Sequence, residues 1–442
     1  SRVIFVGQAY DKNGKELETI VLLGFPGSRA KEIPPRVRNV YTASGPHAVG
    51  VFWEPLEEIN IVGYDVFWRK IDGTQFLLVG HVKKVVGIPS KQSGAVLQGV
   101  LPEIHPTMFR DSTILPGISY VYQVRAVDTH GKRGPGVESD PAGWEPARSP
   151  RPEEVLLLAR KGNRDSLSVA RHYAERRGVP KENILELNLP PIEQALKPKI
   201  IDSVRSYLQD NNLAGKIRVI VPCHGIQLRF QGRALDSMLM DLFDRYTWGR
   251  VMGTPNPLFN RNEHFDPSWG LYLVSRLDGP NSEIAKGLVD KAMEAEKSVS
   301  AQSGSAFFVR ENHGEIAYNI AQRHGIKAVL EDRFFTKTNF VPDDTMWFFA
   351  WGHDYEKSIR KGQWPVGSVA AYLKSNTLGR INMPKAETWV QGLLESGVTG
   401  TFGAAIEPYV QGYTRGDVFF ERFLSGKYTF VESSAMATPT VR

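Results

Sequence analysis

Between Asp140 and Glu154 the chain reads "DPAGWEPARSPRPEE", a proline-rich stretch, and the hydrophobic rhythm differs on its two sides. Before it, short segments alternate apolar and polar residues with a period of two. After it, apolar runs of strand length alternate with segments of helical period. One layer architecture cannot satisfy both patterns, so the chain must fold as at least two bodies meeting at an extended boundary. A length of 442 residues agrees, because a single hydrophobic core stops growing well before that size.

From residue 34 to 148 the pattern is all-β. "HAVGVFWEP" places Val49, Val51 and Trp53 on one face of a strand, and "GYDVFWRK" does the same for Tyr64, Val66 and Trp68. A turn at Pro116-Gly117 precedes a third alternating run with Tyr120, Tyr122, Val124 and Ala126. Residues 1–33 read as a separate β arm, with a hairpin centred on Lys12-Asn13-Gly14.

From residue 149 to 442 strands and helices alternate. "EVLLLAR", "NILELNL", "KIRVIVPC", "GLYLVSRLDG", "SAFFVR", "MWFFAWG" and "VTGTFG" read as strands. "NRDSLSVARHYAERRGVP" reads as an amphipathic helix, opened by Asn163 or Asp165 and closed by Gly178 and Pro180. "KIIDSVRSYLQDNN", "SEIAKGLVDKAMEAEKS" and "EIAYNIAQRHG" are further helices. Such alternation predicts a mostly parallel sheet covered by helices on both faces.

Two resemblances attach to these stretches. The tryptophan of "VFWEP", the strand "GYDVFWR" and the corner "LPGISY" before "VYQVRAVDTHG" resemble a fibronectin type III domain, over about 110 residues. "VLLLARKGNRDSLSVARHYAERRGVPKENILELNLP", "SRLDGP", "GSVAAYLKS" and "LLESGVTGTFGAAIEPYV" resemble an uncharacterised exported bacterial family of exosortase-bearing species. More distantly, the closing pattern is similar to caspase-like peptidases of the gingipain type. That resemblance implies a His-Gly after the third strand and a catalytic cysteine after the fourth. His224-Gly225 fits the first position; "MWFFAWGHD", taken as the fourth strand, supplies no thiol.

Open parallel sheets bind ligands outside the carboxyl ends of their strands. Cys223, His224, Arg276, Asp278, His353, Asp354 and Glu407 all fall just beyond predicted strands and are the candidate rim. Cys223 is the only cysteine, which excludes a disulfide framework and a multi-cysteine zinc site. Cys223 with His224 is the candidate catalytic pair, although neighbouring side chains at a strand end diverge. The rest form a candidate binding rim. Each also has a bland reading: Cys223 as a buried strand-end residue, Asp278 as a turn former partnered by Arg276.

No metal and no cofactor are expected. "NEHFDP" and "LDSMLMDLFDR" gather acids without a recognised ligand spacing, and neither "SGKYT" nor "RKGNRD" completes a phosphate-binding motif. The formal charge of +6 comes from 54 basic residues interleaved with 48 acidic ones, a solvated surface without a nucleic-acid-binding run. No stretch approaches the ~20 apolar residues of a membrane span.

The expectation is therefore an exported surface or extracellular protein, its signal peptide removed, associated with the cell envelope. It would act by binding another protein or copies of itself, with the arm as contact and a caspase-like domain lacking its usual cysteine. The alternative is a hydrolase of peptidase type using His224, with or without Cys223.

Overall fold

A computed structural model of the protein describes residues 3–10, 16–24, 33–58, 60–84, 107–189, 196–230, 232–246, 255–332, 341–352, 363–383 and 388–441. The first two ranges are an antiparallel hairpin, β1 (Val3–Tyr10) with β2 (Glu16–Gly24); its turn at Lys12-Asn13-Gly14 lies outside the described residues.

A two-sheet β body follows, built of β3 (Arg38–Ser44), β4 (Val49–Glu54), β5 (Ile61–Lys70), β6 (Leu77–Lys83), β7 (Met108–Asp111), β8 (Ser119–Asp128), β9 (Val137–Glu138) and β10 (Ala142–Gly143). One sheet has the order β3-β4-β7; the other has β10-β8-β5-β6, with β9 also on β8. It is a β-sheet domain whose two-sheet arrangement resembles fibronectin type III and immunoglobulin-like folds. Val49, Val51, Trp53, Tyr64, Val66, Tyr122 and Val124 share its core, as their alternation predicts. At the tyrosine corner, the Leu115 amide donates to the Tyr120 hydroxyl at 3.2 Å.

Beyond the boundary come β11 (Val155–Arg160), α1 (Arg164–Arg177), β12 (Ile184–Leu187), α2 (Leu196–Asp210), β13 (Val219–Pro222), the small hairpin β14 (Arg229–Phe230) and β15 (Arg233–Ala234), α3 (Leu235–Met240) and β16 (Leu273–Val274). After them run α4 (Ser282–Ser298), β17 (Ser305–Val309), α5 (Gly314–Arg323), β18 (Ala328–Glu331), β19 (Thr345–Trp351), β20 (Val369–Leu373), α6 (Trp389–Glu395), α7 (Tyr409–Gly412), α8 (Gly416–Phe423) and α9 (Phe430–Ala437).

The single parallel sheet expected from the alternation is two. One has the order β12-β11-β13-β16 and the other β18-β17-β19-β20, all pairs parallel. Both are covered on both faces. In β11, Leu156 and Leu158 point into one cluster with α2 and α3, while Val155, Leu157 and Ala159 point into another with α1. In β17, Ala306 and Phe308 join the α5 and α8 side, and Phe307 and Val309 the α6 side. Helix α4 is shared, with Ala285 in a core of the first unit and Ile284 and Leu288 packed on the second.

Two strand assignments need correction. "VTGTFG" forms no strand; it joins the second sheet by a single bridge between Gly400 and Val369 and packs Val398 and Phe402 into its two cores, and the fourth strand there is β20, inside "GSVAAYLKS". β18 was also unread. Short apolar runs have no period by which helix, strand and buried loop can be told apart.

Strand β4 is buried on both faces because the β domain docks on the first parallel-sheet unit. The guanidinium of Arg245, 2% exposed, lies 4.4 Å from the Phe52 ring centroid, 4.5 Å from Phe243 and 5.4 Å from Tyr41. It also donates to the Gly270 carbonyl at 3.3 Å and to the Tyr41 hydroxyl. Arg110 stacks 3.7 Å from the Trp269 ring and reaches Asp266 at 3.1 Å. Gly215 approaches so closely that a Cβ there would lie 1.8 Å from the Thr42 carbonyl oxygen, so no other residue fits.

The boundary segment is itself pinned: Arg218 pairs with Glu145 at 2.6 Å and with Glu154 at 3.0 Å, and Arg148 pairs with Glu154 at 2.6 Å. Arg245→Ala should remove three ring contacts and leave a void, costing about 3 kcal/mol. In urea unfolding, followed separately by probes in each body, one shared transition should become two.

Candidate functional site

The first rim is assembled by strand register. β13 and β16 run parallel, and beyond them a bridge pairs Cys223 with Leu277, so the next residues, His224 and Asp278, stand side by side. His224 Nδ1 donates to Asp278 Oδ1 at 2.8 Å. The Asp278 side chain is fully buried and also accepts from the Gly279 amide at 2.9 Å, from Asn382 Nδ2 at 3.3 Å and from Arg276 at 3.5 Å.

Arg276 fixes the loop that carries the histidine. It donates to the carbonyls of Ile226 at 2.8 Å and Gln227 at 3.0 Å and is held by Asp236 at 2.6 Å. The chain can turn there because Gly225 takes φ +87°. With Nδ1 committed to a carboxylate, the Nε2 atom of His224 is the one left to act on a ligand or a water. The Asp278 hydrogen bond raises the imidazole pKa above its ordinary value.

Cys223 does not join the pair. Its side chain points into the core between β11 and α1, with no exposed surface, and its sulfur lies 3.7 Å from the Val221 carbonyl. Burial pushes the thiol up to about 12, and the nearby Asp278 charge adds to the rise. An activated thiol needs the opposite environment. Alternation at the strand end sends Cys223 inward and His224 outward, so the structure does not bring the thiol onto the rim beside the imidazole.

Of the remaining candidates, Arg276 and Asp278 meet His224. Glu407 does not; it lies in a loop of the second unit, where the single Tyr413 hydroxyl proton is within hydrogen-bond reach of both Glu407 at 3.1 Å and the Ser375 carbonyl at 2.9 Å. His353 and Asp354 lie outside the described residues. The reading of "MWFFAWGHD" as the fourth strand after His224 is also corrected, since β19 is the third strand of the other sheet. The fourth strand of the His224 sheet is β16, which leads to Arg276 and Asp278.

The acids weighed for metal binding are dispersed. Glu263 pairs with His47 at 2.6 Å, His264 with Glu432 at 3.0 Å, Asp266 with Arg110, and Asp236 with Arg276. No metal-ligand cluster occurs among the described residues. The cavity bordered by His264, Trp269 and Glu432 measures about 10 Å³, the room of roughly one water.

Sequence reasoning missed two things. Asn382, from the loop after β20, crosses from the second unit to the first to hold Asp278. Backbone strain also collects on the second rim: among the described residues other than glycine, asparagine and aspartate, positive φ occurs at His313 (79°), Ser375 (41°) and Tyr409 (55°). His313 and Ser375 follow strands of the second sheet, and Tyr409 opens the short helix α7 that leads to Tyr413. Such strain is stored preferentially at functional sites, and no residue pattern announces it.

No family model matches the chain, and no curated protein matches it. Solved structures similar to it include a titin fragment at 16% identity, covering 25% of this chain and 32% of that one, with a TM-score of 0.19. Another is a Fn3-like protein from Clostridium thermocellum at 12% identity, covering 27% and 100%, with a TM-score of 0.19. A third is a spore cortex lytic enzyme from Clostridium perfringens at 17% identity, covering 31% and 37%, with a TM-score of 0.19. The chain spans about a third of the titin fragment and of the lytic enzyme. Among the described residues, no helix is long and apolar enough to cross a membrane.

Asp278→Asn should lower the His224 pKa, read by NMR titration of its ring carbon shifts. The raised native value means that the pair stabilises the fold below about pH 6.5, and that this contribution fades as pH rises through the folded value. The variant should lose stability mainly on the acid side of that window.

Proposed function

We propose that the chain is an exported surface or extracellular protein that works by binding and self-assembly, as one rigid body. Its β domain is of fibronectin type III kind, and its α/β domain is caspase-like without a usable thiol. The single observation that carries the assembly reading is the arm. β1 and β2 form a two-stranded sheet that pairs with no other strand among the described residues. Such a ribbon is marginal in water by itself and gains stability from a partner. The burial of Cys223 away from the rim weighs against cysteine-type chemistry, and the resemblance to exported proteins supports the location.

Sedimentation velocity across a hundredfold concentration range tests this reading. The intact chain should sediment increasingly fast as concentration rises, and a chain lacking residues 1–32 should remain monomeric. Identical monomers in both series would refute it.

One observation favours a second reading, a hydrolase of peptidase type: the His224–Asp278 pair is oriented as a base and its partner are in water-activating sites. In that case His224 would take a proton from an attacking water at Nε2. Peptide or ester cleavage by the protein should then fall at least a hundredfold in His224→Ala and be unchanged in Cys223→Ser.

A further inference from the structure

We infer that β2 of one copy adds to the β6 edge of the β domain of another copy. The inference rests on the self-assembly reading and specifies the contact that would produce it.

The donor is the hairpin. Its register sets Phe5 opposite Leu22 and Ile4 opposite Leu23. Successive pairs alternate between the faces of a ribbon, so the half that ends at Val3 and Gly24 is apolar on both sides. The other half carries Glu16 and Glu18 on β2. A ribbon of this sequence has one charged end and one apolar end.

The acceptor is the last strand in the order β10-β8-β5-β6. Its pairing with β5 slips at Val79, because Val66 stands opposite Gly80 and Phe67 opposite Leu78. Such a bulge bends the edge and confines regular addition to residues 80–83. Lys83 ends this run, exposed and with no ion-pair partner among the described residues. At the other end Ile71, Leu77 and Leu78 are all about half exposed or more, a small apolar patch at the tip of the β5–β6 hairpin.

Donor and acceptor match in one antiparallel register. Glu18 opposite Lys83 places Thr19 opposite Val82, Ile20 opposite His81 and Val21 opposite Gly80. Leu22 and Leu23 then run past the bulge toward Leu78. Opposite charges meet at one end and apolar residues at the other, so the same pairing that satisfies an edge without a further strand among the described residues also engages the arm. The β3-β4-β7 sheet is engaged by the α/β domain, and the β6 edge stands at the far side of the opposite sheet. The contact is heterologous, with arm on one copy and edge on the next.

Charge exchange and cross-linking test it on the full chain. By sedimentation, Glu18→Lys alone and Lys83→Glu alone should each weaken association roughly fivefold, and the double exchange should restore it. Glu18→Cys protein mixed with Lys83→Cys protein should yield a covalent heterodimer under mild oxidation, since the buried Cys223 stays silent. Association that ignores both exchanges, with no 18–83 cross-link, overturns this contact while leaving self-assembly standing. A wild-type chain that is monomeric throughout overturns both.

Discussion

A buried guanidinium makes two bodies into one. Arg245 comes from the first parallel-sheet unit, yet two of the three rings around it, Tyr41 and Phe52, belong to the β domain. A cation taken out of water is costly unless its environment replaces the lost hydration. Here ring faces, the Gly270 carbonyl and the Tyr41 hydroxyl do so for the two terminal nitrogens, while Nε stays buried without a hydrogen-bond partner among the described residues, and these groups are present together only when the domains are docked. Packing at Gly215 and the Arg110–Trp269 stack extend the same contact. The β domain is thereby docked on the α/β domain, and its β6 edge, which pairs with no further strand among the described residues, is carried with it.

The rim of the first sheet follows from register in the same way. Parallel pairing of β13 with β16 sets the buried Asp278 carboxylate beside His224, and the pleat that turns the imidazole outward turns Cys223 inward. One geometric rule thus creates an oriented imidazole and disables the thiol next to it. Asn382 adds a contact from the second unit, so the pair depends on the two sheets keeping their relation through the shared helix α4.

Much of the fold was legible because its cause is local. Val49, Val51 and Trp53 alternate as a strand with one buried face must, and helix α1 begins at the Asn163 cap and ends at Gly178, as those residues dictate. The burial of Phe52 on the other face of the same strand was not legible, since it depends on Arg245, nearly two hundred residues away. The division into two sheets was hidden for a related reason: alternation of strand and helix specifies parallel pairing but not where one sheet ends. At the site, the residue types at the strand ends drew attention to His224 and Asp278, but only long-range register showed that they meet. Strain at Ser375 and Tyr409 has no signature in residue pattern at all.

The most direct measurement of the account is hydrogen exchange on the intact chain at rising concentration, resolved by peptide. Amides in 16–24 and 80–83 should gain protection as copies associate, while 49–54 and 266–270 stay protected at every concentration as parts of one docked body. Protection that never changes with concentration, or that appears at the His224 rim in place of the arm, would contradict it.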